Sequence, residues 1–365
     1  MLTSIEVMAA LLLAAWPAWG VAAWPPVSLP VLTAARTAAT PANDPASLLN
    51  LSDEELTRLI EFDAALLGTL SIGAPGGGLL LNGVALPDGP RWVTTPTAAP
   101  WATSETITAI QTAVDTVHDL FPDTPPIVIG DISDQDGGRL KRHETHQAGR
   151  DVDFGFYLKS GQGPWFVPGT AANLDLPRNW ALVRALVART DVETILLDTR
   201  VQRLLYKYAL SISEDKDWLD RVFQFSRGSK SAIIRHVRGH RNHYHVRFYS
   251  PVAQELGRRA HPIMVQLGLL APPVFTVRHV VRPGQTMGHL AAKYGTSIRA
   301  IKQANGLSST LLRAGRAYRI PVRGVAPPPQ PLMMPQRILP PSTPDALAAV
   351  DWPSVESLYG SDGER

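Results

Sequence analysis

Two short windows of the sequence hold six of the chain's ten histidines. The first, HETHQAGRDVDF at 143–154, also contains two aspartates two residues apart, and the second, HVRGHRNHYHVRF at 236–248, contains four of the histidines. The chain has no cysteine, which excludes thiolate ligands, cysteine nucleophiles and disulfides. Imidazoles clustered beside carboxylates are typical of zinc sites built without cysteine. A basic surface patch is the alternative, but the neighbouring aspartates would weaken it.

Both windows lead into the alternating pattern of a β-strand. Residues two apart in a strand share a face, so Asp151 lies beside Asp153, and His243 beside His245. If the two strands are neighbours in one sheet, these side chains converge on a site for one zinc ion, held by two imidazoles and one carboxylate. Zinc lowers the pKa of a bound water to about 7 and so supplies a nucleophile at neutral pH. The spacing alone does not identify which side chains bind the ion.

The surrounding sequence predicts the elements that position these windows. Cap residues and 3.6-residue apolar spacing predict helices over 52–67, 104–121, 176–190 and 199–211, and PPIVIGDIS at 125–133 predicts a buried strand. Helices and short strands mix without the rhythm of βαβ units. This mixture predicts an α+β fold.

The two ends of the chain differ in composition from its middle. An apolar run ends in small residues near Ala23, which predicts a signal peptide over 1–23 and therefore export. An uncleaved hydrophobic segment or a misassigned start is the alternative, and the run is too short for a stable membrane span. Residues 24–50 predict a Pro- and Ala-rich linker, and residues 323–365 predict a Pro-rich disordered tail.

The two windows carry a pair of specific motifs, HxxHQxGxDVD at 143–153 and HxxHxHVR at 240–247. They resemble the motifs of the penicillin-insensitive murein endopeptidase family, and the likeness extends upstream to SIGAPGGGLLLNGVALP at 71–87 and GDIS at 130–133. That family belongs to a wider group of zinc peptidases that includes lysostaphin-type and D-Ala-D-Ala-cleaving enzymes. The resemblance implies a zinc peptidase domain over 51–256, with a small antiparallel sheet flanked by helices.

The resemblance also implies a role for each clustered residue. It implies three zinc ligands: His146, Asp153 and His245. The first histidine of the HxH strand, His243, would be the general base, while His143 and His240 would line the site and stabilise the developing oxyanion. Asp151 and Gln147 would orient the ligands from behind. The implied reaction is hydrolysis of an amide without a covalent intermediate.

A basic segment follows a linker predicted over 257–274. Residues 275–322 contain eight Lys or Arg and no Asp or Glu, although the net charge of the chain is only +3. The order PGQT, LAAKYG, SIRAIKQANGL and AGRAYRIP resembles a LysM module, a βααβ unit that binds N-acetylglucosamine-containing glycans. The resemblance implies glycan-binding residues at Gly284, Thr286, Asn305, Gly306 and Leu307. The acid-free surface suits an anionic wall, and the scarcity of aromatic residues argues against nucleic acid.

These features predict an exported, zinc-dependent D,D-endopeptidase that cleaves the peptide cross-links of peptidoglycan in the periplasm or at the cell wall. A D-Ala-D-Ala carboxypeptidase or dipeptidase would share the ligands but close one end of the cleft. A non-catalytic wall-binding protein is a second alternative, and the intact ligand and base positions argue against it.

Overall fold

The computed structural model describes residues 45–140, 143–161, 163, 165–228, 231–271, 275–322 and 330–341. The predicted signal peptide, and the predicted linker as far as residue 44, lie outside the described residues. Residues 323–329 and 342–365 of the predicted tail also lie outside them.

Helices and strands follow one another irregularly along the described residues, which confirms the α+β class. The helices are α1 (Asp53–Asp63), α2 (Ser104–Leu120), α3 (Leu176–Arg189), α4 (Thr199–Ser211), α5 (Lys216–Val222), α6 (Gln224–Arg227), α7 (Pro251–Gln266), α8 (Met287–Lys293) and α9 (Ile298–Ala304), with 3₁₀ helices at Pro45–Asn50 and Ala64–Leu67. The strands are β1 (Leu70–Ala74), β2 (Gly77–Leu81), β3 (Val84–Ala85), β4 (Trp92–Thr94), β5 (Trp101–Ala102), β6 (Ile127–Ile129), β7 (Asp151–Phe154), β8 (Val192–Leu196), β9 (Ile234–Arg235), β10 (Tyr244–Phe248), β11 (Phe275–Val280) and β12 (Ala317–Val322).

Side-chain caps fix where the predicted helices begin. Ser52 and Glu55 form a capping box at α1, in which each side chain accepts the other residue's backbone N–H. Thr103 accepts the backbone N–H of Thr106 at the start of α2. Because each cap satisfies a donor that the first turn leaves unpaired, these short polar residues stop the helices from starting earlier.

A six-stranded mixed sheet, in the order β4-β6-β7-β10-β8-β9, forms the centre of the main domain. The pairs β6/β7, β7/β10 and β10/β8 are antiparallel, and the edge pairs β4/β6 and β8/β9 are parallel. The apolar side chains of the central strands, Val152, Phe154, Val246 and Phe248, belong to the main core with those of α2 and α3. The alternate residues of β7 and β10 are therefore left to face the other side of the sheet.

Helix α7 extends past the predicted domain boundary at residue 256. Leu256, Ala260 and Met264 recur every four residues and pack with Leu48 into a second apolar cluster. This stripe keeps residues 257–266 helical in spite of Pro262, so the first ten residues of the predicted linker belong to the main domain.

The basic segment folds in the predicted βααβ order, from β11 through α8 and α9 to β12. It has a core of its own, formed by Val281, Met287, Leu290, Ala291, Ile301, Tyr318 and Ile320. Strands β11 and β12 are antiparallel, and Phe275 pairs with Val322. The chain therefore enters and leaves this module at neighbouring positions.

Part of the predicted disordered tail returns to the main domain. Residues 330–341, the C-terminal strap, run along it: the Ile338 side chain packs against the main core, and Trp218 Nε1 donates to the Ile338 carbonyl at 2.9 Å. Arg337 donates to the carbonyls of Ala188 and Thr190, at 3.1 and 2.8 Å. Its positive charge there also interacts favourably with the negative, C-terminal end of the α3 dipole. The prolines of the strap restrict its backbone in the unfolded state. Less conformational entropy is therefore lost when the strap docks, although it forms no helix or strand.

The contacts of the strap predict that it contributes to the stability of the main domain. We expect Ile338→Asp to lower the free energy of unfolding by about 1–3 kcal/mol, because it replaces a packed apolar side chain with a carboxylate. Leu339→Asp is the matched control, since Leu339 is 41% exposed. Differential scanning calorimetry measures both, and equal melting temperatures for the two variants would contradict the docked strap.

Candidate metal centre and active site

The two histidine windows meet where β7 pairs with β10. His245 lies directly opposite Asp153, and Arg247 opposite Asp151, in an antiparallel register. The structure thus confirms the prediction that the two strands are neighbours. His146 reaches the same place from the loop that precedes β7.

Three ligand-type atoms form a small, nearly equilateral triangle. His146 Nε2 lies 3.1 Å from His245 Nδ1, and Asp153 Oδ1 lies 3.3 and 3.2 Å from these two nitrogens. Atoms bound to one tetrahedral zinc ion at about 2.0–2.1 Å are about 3.3 Å apart. The three side chains are buried, and Asp153 Oδ1 accepts no hydrogen bond of acceptable geometry from the described residues. A buried carboxylate oxygen without a donor fits a site for a cation.

The outer nitrogen of each imidazole is occupied. His146 Nδ1 lies 3.0 Å from the Ile132 carbonyl, and His245 Nε2 lies 2.8 Å from Asp151 Oδ1. Each of these oxygens can only accept, so each outer nitrogen donates its hydrogen when the ring is neutral. The lone pairs of the inner nitrogens then face each other and Asp153. This is the tautomer that metal binding requires.

The backbone of His146 is held in a strained conformation. Its φ is +65°, in the left-handed region that non-glycine residues rarely adopt. The following Gly149 has φ +70°, and a Cβ there would lie 2.7 Å from Leu80 Cδ1 and 3.0 Å from Thr103 N. The HxxHQxG part of the motif is therefore a tight turn that directs a fully buried imidazole toward β7.

Asp151 connects three parts of the site. Oδ1 accepts from His245 Nε2 and from Arg247 Nε, both at 2.8 Å, and Oδ2 accepts from the His146 backbone N–H at 3.3 Å. Burial raises the pKa of Asp151, but the hydrogen bond from His245 and the charge of Arg247 outweigh it and hold the pKa well below its ordinary value. Asp151 thus contacts both the ring of His245 and the backbone of His146.

Opposing effects also act on the pKa values of the ligand side chains. Burial raises the pKa of Asp153, but the adjoining imidazoles hold it well below its ordinary value. Burial lowers the pKa of His245, but Asp151 and Asp153 raise it to about 9. The two aspartates therefore stay ionised, and the ligand triangle forms a cradle that favours a positive charge.

His243 lies just before β10, at the edge of the triangle. Its Nε2 is 3.7 Å from Asp153 Oδ1, and its Nδ1 is 2.8 Å from Asn242 Oδ1. Burial lowers the pKa of His243 to about 4, so the imidazole is neutral near pH 7. A neutral imidazole facing the cradle has the protonation state of a general base.

The other two predicted histidines flank the site. His143 Nε2 bonds Asp131 Oδ2 at 2.8 Å, and that hydrogen bond lowers the pKa of Asp131. His240 has ring centroids 5.0 and 5.6 Å from those of His243 and His245. Burial lowers the pKa of His240, and its buried Nδ1 has no hydrogen-bond partner among the described residues.

A second ligand set overlaps the first. His143, His146 and Asp153 have potential ligand atoms that all lie within 4.8 Å of one another. However, His143 Nδ1 is 3.9 Å from Asp153 Oδ2, and its other nitrogen is held by Asp131. The tighter triangle favours His245 as the third ligand. Either set can hold a divalent metal ion.

Gln147 does not join the network behind the ligands. Its Nε2 donates to the Glu144 carbonyl at 3.2 Å, within its own loop. Among the described residues, no hydrogen bond joins this side chain to His146, Asp153 or His245. The orienting role that the resemblance implied for Gln147 therefore has no support in its contacts.

The residues predicted to bind glycan take part in folding the module. Asn305 donates to the carbonyls of Ile301 and Arg319, and its Oδ1 accepts from the Arg319 N–H. Thr286 caps α8, while Gly284 and Gly306 have φ values of +80° and +60°. Leu307 packs against the module core. These residues therefore shape the loops of the module.

The sequence motifs did not identify several residues that touch the site. Asp131 lies in the GDIS stretch, so its place in a motif was visible but its bond to His143 was not. Asn242 lies inside the second motif, at a position that the motif does not specify, and Phe166, whose ring stacks on His243 with centroids 5.1 Å apart, lies outside both motifs.

Comparison with known families agrees with this geometry. Residues 71–165 match the family model of the penicillin-insensitive murein endopeptidases, and residues 279–321 match that of the LysM domain. Both matches confirm the resemblances identified from the motifs. The first match ends before β10, and the pairing of β7 with β10 brings His245 to the matched segment.

No curated protein matches the chain in a sequence search. Among the described residues, no helix is long and apolar enough to cross a membrane.

The two overlapping ligand sets predict opposite results for single substitutions. We expect His245→Ala and Asp153→Ala to lose stoichiometric zinc, because two remaining side chains hold the ion poorly, and His143→Ala to retain it. Zinc content after dialysis against a weak chelator measures this, with circular dichroism as a check on folding. Loss of zinc from His143→Ala and retention in His245→Ala would assign the site to the other set.

Proposed function

We propose that this protein is a zinc-dependent D,D-endopeptidase that hydrolyses the peptide cross-links of peptidoglycan and is brought to the wall by its LysM module. The observation that carries the proposal is the triangle of His146, Asp153 and His245 beside a neutral His243. The match to the murein endopeptidase family supports the substrate class. The predicted signal peptide supports export to the periplasm or the cell wall.

The three ligand side chains suit one zinc ion per chain. Zinc bound there would polarise the scissile carbonyl and make water more acidic. Arg247 and Asp151 hold His245 in the tautomer that leaves Nδ1 free, and the Ile132 carbonyl does the same for His146. Both imidazoles are thus oriented through hydrogen bonds at their outer nitrogens, and their inner nitrogens point to the centre of the triangle.

His243 carries the proton in the proposed reaction. Its neutral imidazole accepts a proton at Nε2 from the attacking water as the C–O bond forms, and passes it to the leaving nitrogen as the C–N bond breaks. His143 and His240 lie on either side and can donate hydrogen bonds to the carbonyl oxygen as it gains charge. Asp131 holds His143 for this role.

Two other functions remain as alternatives for the same fold. A D-Ala-D-Ala carboxypeptidase or dipeptidase would use the same ligands, and a wall-binding protein would need none of them. Mass spectrometry of cross-linked muropeptides incubated with the zinc-loaded protein separates the three. Monomers formed from dimers support the endopeptidase, loss of only a terminal D-Ala supports the carboxypeptidase, and no change supports the binding protein.

Removing the proposed base should separate catalysis from metal binding. We expect His243→Ala to retain zinc, because His243 lies outside the ligand triangle, and to lose about 100-fold to 10,000-fold in turnover. Zinc content and the rate of muropeptide cleavage are measured on the same preparation. A variant that loses its zinc, or that cleaves at the wild-type rate, would contradict the assignment of His243 as the base.

The module can be removed without removing the strap. Because Phe275 and Val322 are paired, residues 275–322 can be replaced by a short Gly-Ser linker that leaves 330–341 in the chain. We expect this variant to cleave soluble muropeptides at the wild-type rate but to bind intact sacculi about 100-fold more weakly. Sedimentation with sacculi at low and high salt measures binding, and part of the lost affinity should be salt-sensitive because the module is basic. Unchanged sedimentation would exclude the module as the wall-binding element.

A further inference from the structure

The orientation of His243 is not fixed by the sheet. Strand β10 begins at Tyr244, so His243 lies in the preceding loop and no strand pairing holds its backbone. A free imidazole can rotate and can carry its hydrogen on either nitrogen. If His243 is the base of the proposed function, something outside the sheet must hold its ring with Nε2 toward the ligand triangle.

We infer that Phe166 and Asn242 are positioning residues that fix the ring and the tautomer of His243. This inference rests on the proposed function for its consequence in catalysis. The single ring orientation and single tautomer that it assigns to His243 can be measured without substrate.

Asn242 selects the tautomer. Its Oδ1 lies 2.8 Å from His243 Nδ1, while its Nδ2 donates to the Phe166 carbonyl at 3.4 Å. Because the amide nitrogen faces a carbonyl, the amide oxygen must face the imidazole, and an oxygen there accepts a hydrogen from Nδ1. The hydrogen of neutral His243 is then on Nδ1. Its Nε2 keeps a lone pair on the side of Asp153.

Phe166 holds the plane of the ring. The two rings are stacked at 28°, with centroids 5.1 Å apart. The phenyl ring also lies against Gly130, where a Cβ would be only 2.6 Å from Phe166 Cζ. The absence of a side chain at residue 130 thus leaves room for the phenyl ring that stacks on the imidazole.

A backbone hydrogen bond joins the two loops that carry these residues. Gly169 N–H donates to the Arg241 carbonyl at 2.8 Å, next to Asn242 in sequence. The loop that carries Phe166 is therefore attached to the loop that carries His243 through a backbone bond, a side-chain bond and a ring stack. None of these contacts involves a proposed zinc ligand.

Loss of either positioning residue should affect the reaction step and leave zinc binding intact. We expect Asn242→Ala and Phe166→Leu to lower kcat by about 10-fold to 100-fold, because a misplaced or wrongly protonated base is seldom in position to react. KM and zinc content should change less than about 2-fold, since neither side chain touches the ligand triangle. Asn173→Ala is the matched control: Asn173 bonds Thr170 and Pro168 within the same loop region and makes no hydrogen bond to His243.

Nuclear magnetic resonance of the zinc-loaded protein tests the inference without substrate. Two-bond and three-bond ¹H–¹⁵N correlations, assigned to His243 by their absence in His243→Ala, report which nitrogen carries the hydrogen. We expect the Nδ1–H form alone in the wild type and in Asn173→Ala, and a mixture of tautomers in Asn242→Ala. If wild-type His243 shows this tautomer but no muropeptide is cleaved, the proposed function fails and the positioning stands.

Two results would overturn the positioning role. One is a wild-type spectrum that already contains both tautomers, or that does not change in Asn242→Ala. The other is a kcat in Asn242→Ala and Phe166→Leu that equals that of Asn173→Ala, because the residues would then support only the fold of the loop.

Discussion

The register of the β7–β10 pairing is the constraint on which the site depends. His245 faces Asp153 across the pair while Val152, Phe154, Val246 and Phe248 enter the core on the other side. Sliding one strand by one residue would expose the apolar side chains and bury the polar ones. The free energy gained by burying several large apolar side chains would then be lost. The residues that pack the core therefore fix the positions of the ligands. No separate device is needed to bring two motifs together that lie about ninety residues apart in sequence.

The same register makes the site expensive to bury. Asp151 and Asp153 are almost fully buried, and removing a charge from water costs several kcal/mol unless partners compensate it. Arg247 and His245 compensate Asp151. By contrast, Asp153 Oδ1 accepts no hydrogen bond of acceptable geometry from the part of the chain that the structure describes, and the backbone of His146 is strained. A strained backbone and a buried carboxylate oxygen without a donor thus coincide at this site, and such departures from local rules are expected at functional sites. A bound cation would resolve the imbalance, and its binding energy would add to the stability of the domain.

Short-range patterns predicted α1 to α4, the two central strands and the residues that meet between them, but not α5, α6 or α7. The choice of ligands among those residues needed the family resemblance, because spacing places His243 and His245 on one face without ranking them. Contacts made by irregular loops were not predictable. Neither the stacking of Phe166 on His243 nor the hydrogen bond between Asp131 and His143 produces a periodic pattern in the sequence. Helix α7, which continues past Pro262, and the docking of the strap were not predicted for a related reason. Proline predicts the end of a helix or of ordered structure from local sequence alone. Here the packing of Met264 and Ile338 against residues distant in sequence keeps the chain ordered.

The strap limits how far the LysM module can move from the main domain. The module is connected at Phe275 to a chain leaving α7, and at Val322 to a chain that returns to the main domain at residue 330. The segment from 322 to 330 can span at most about 30 Å, so the module stays within that distance of the strap. A second attachment through α7 restricts it further than a single tether of equal length would. In the proposed function, glycan bound by the module would be held near the main domain, where a short tether gives a high effective concentration, while cross-links farther along the strand would gain little. Two anchors of this kind would favour cleavage next to the bound glycan over cleavage at a distance.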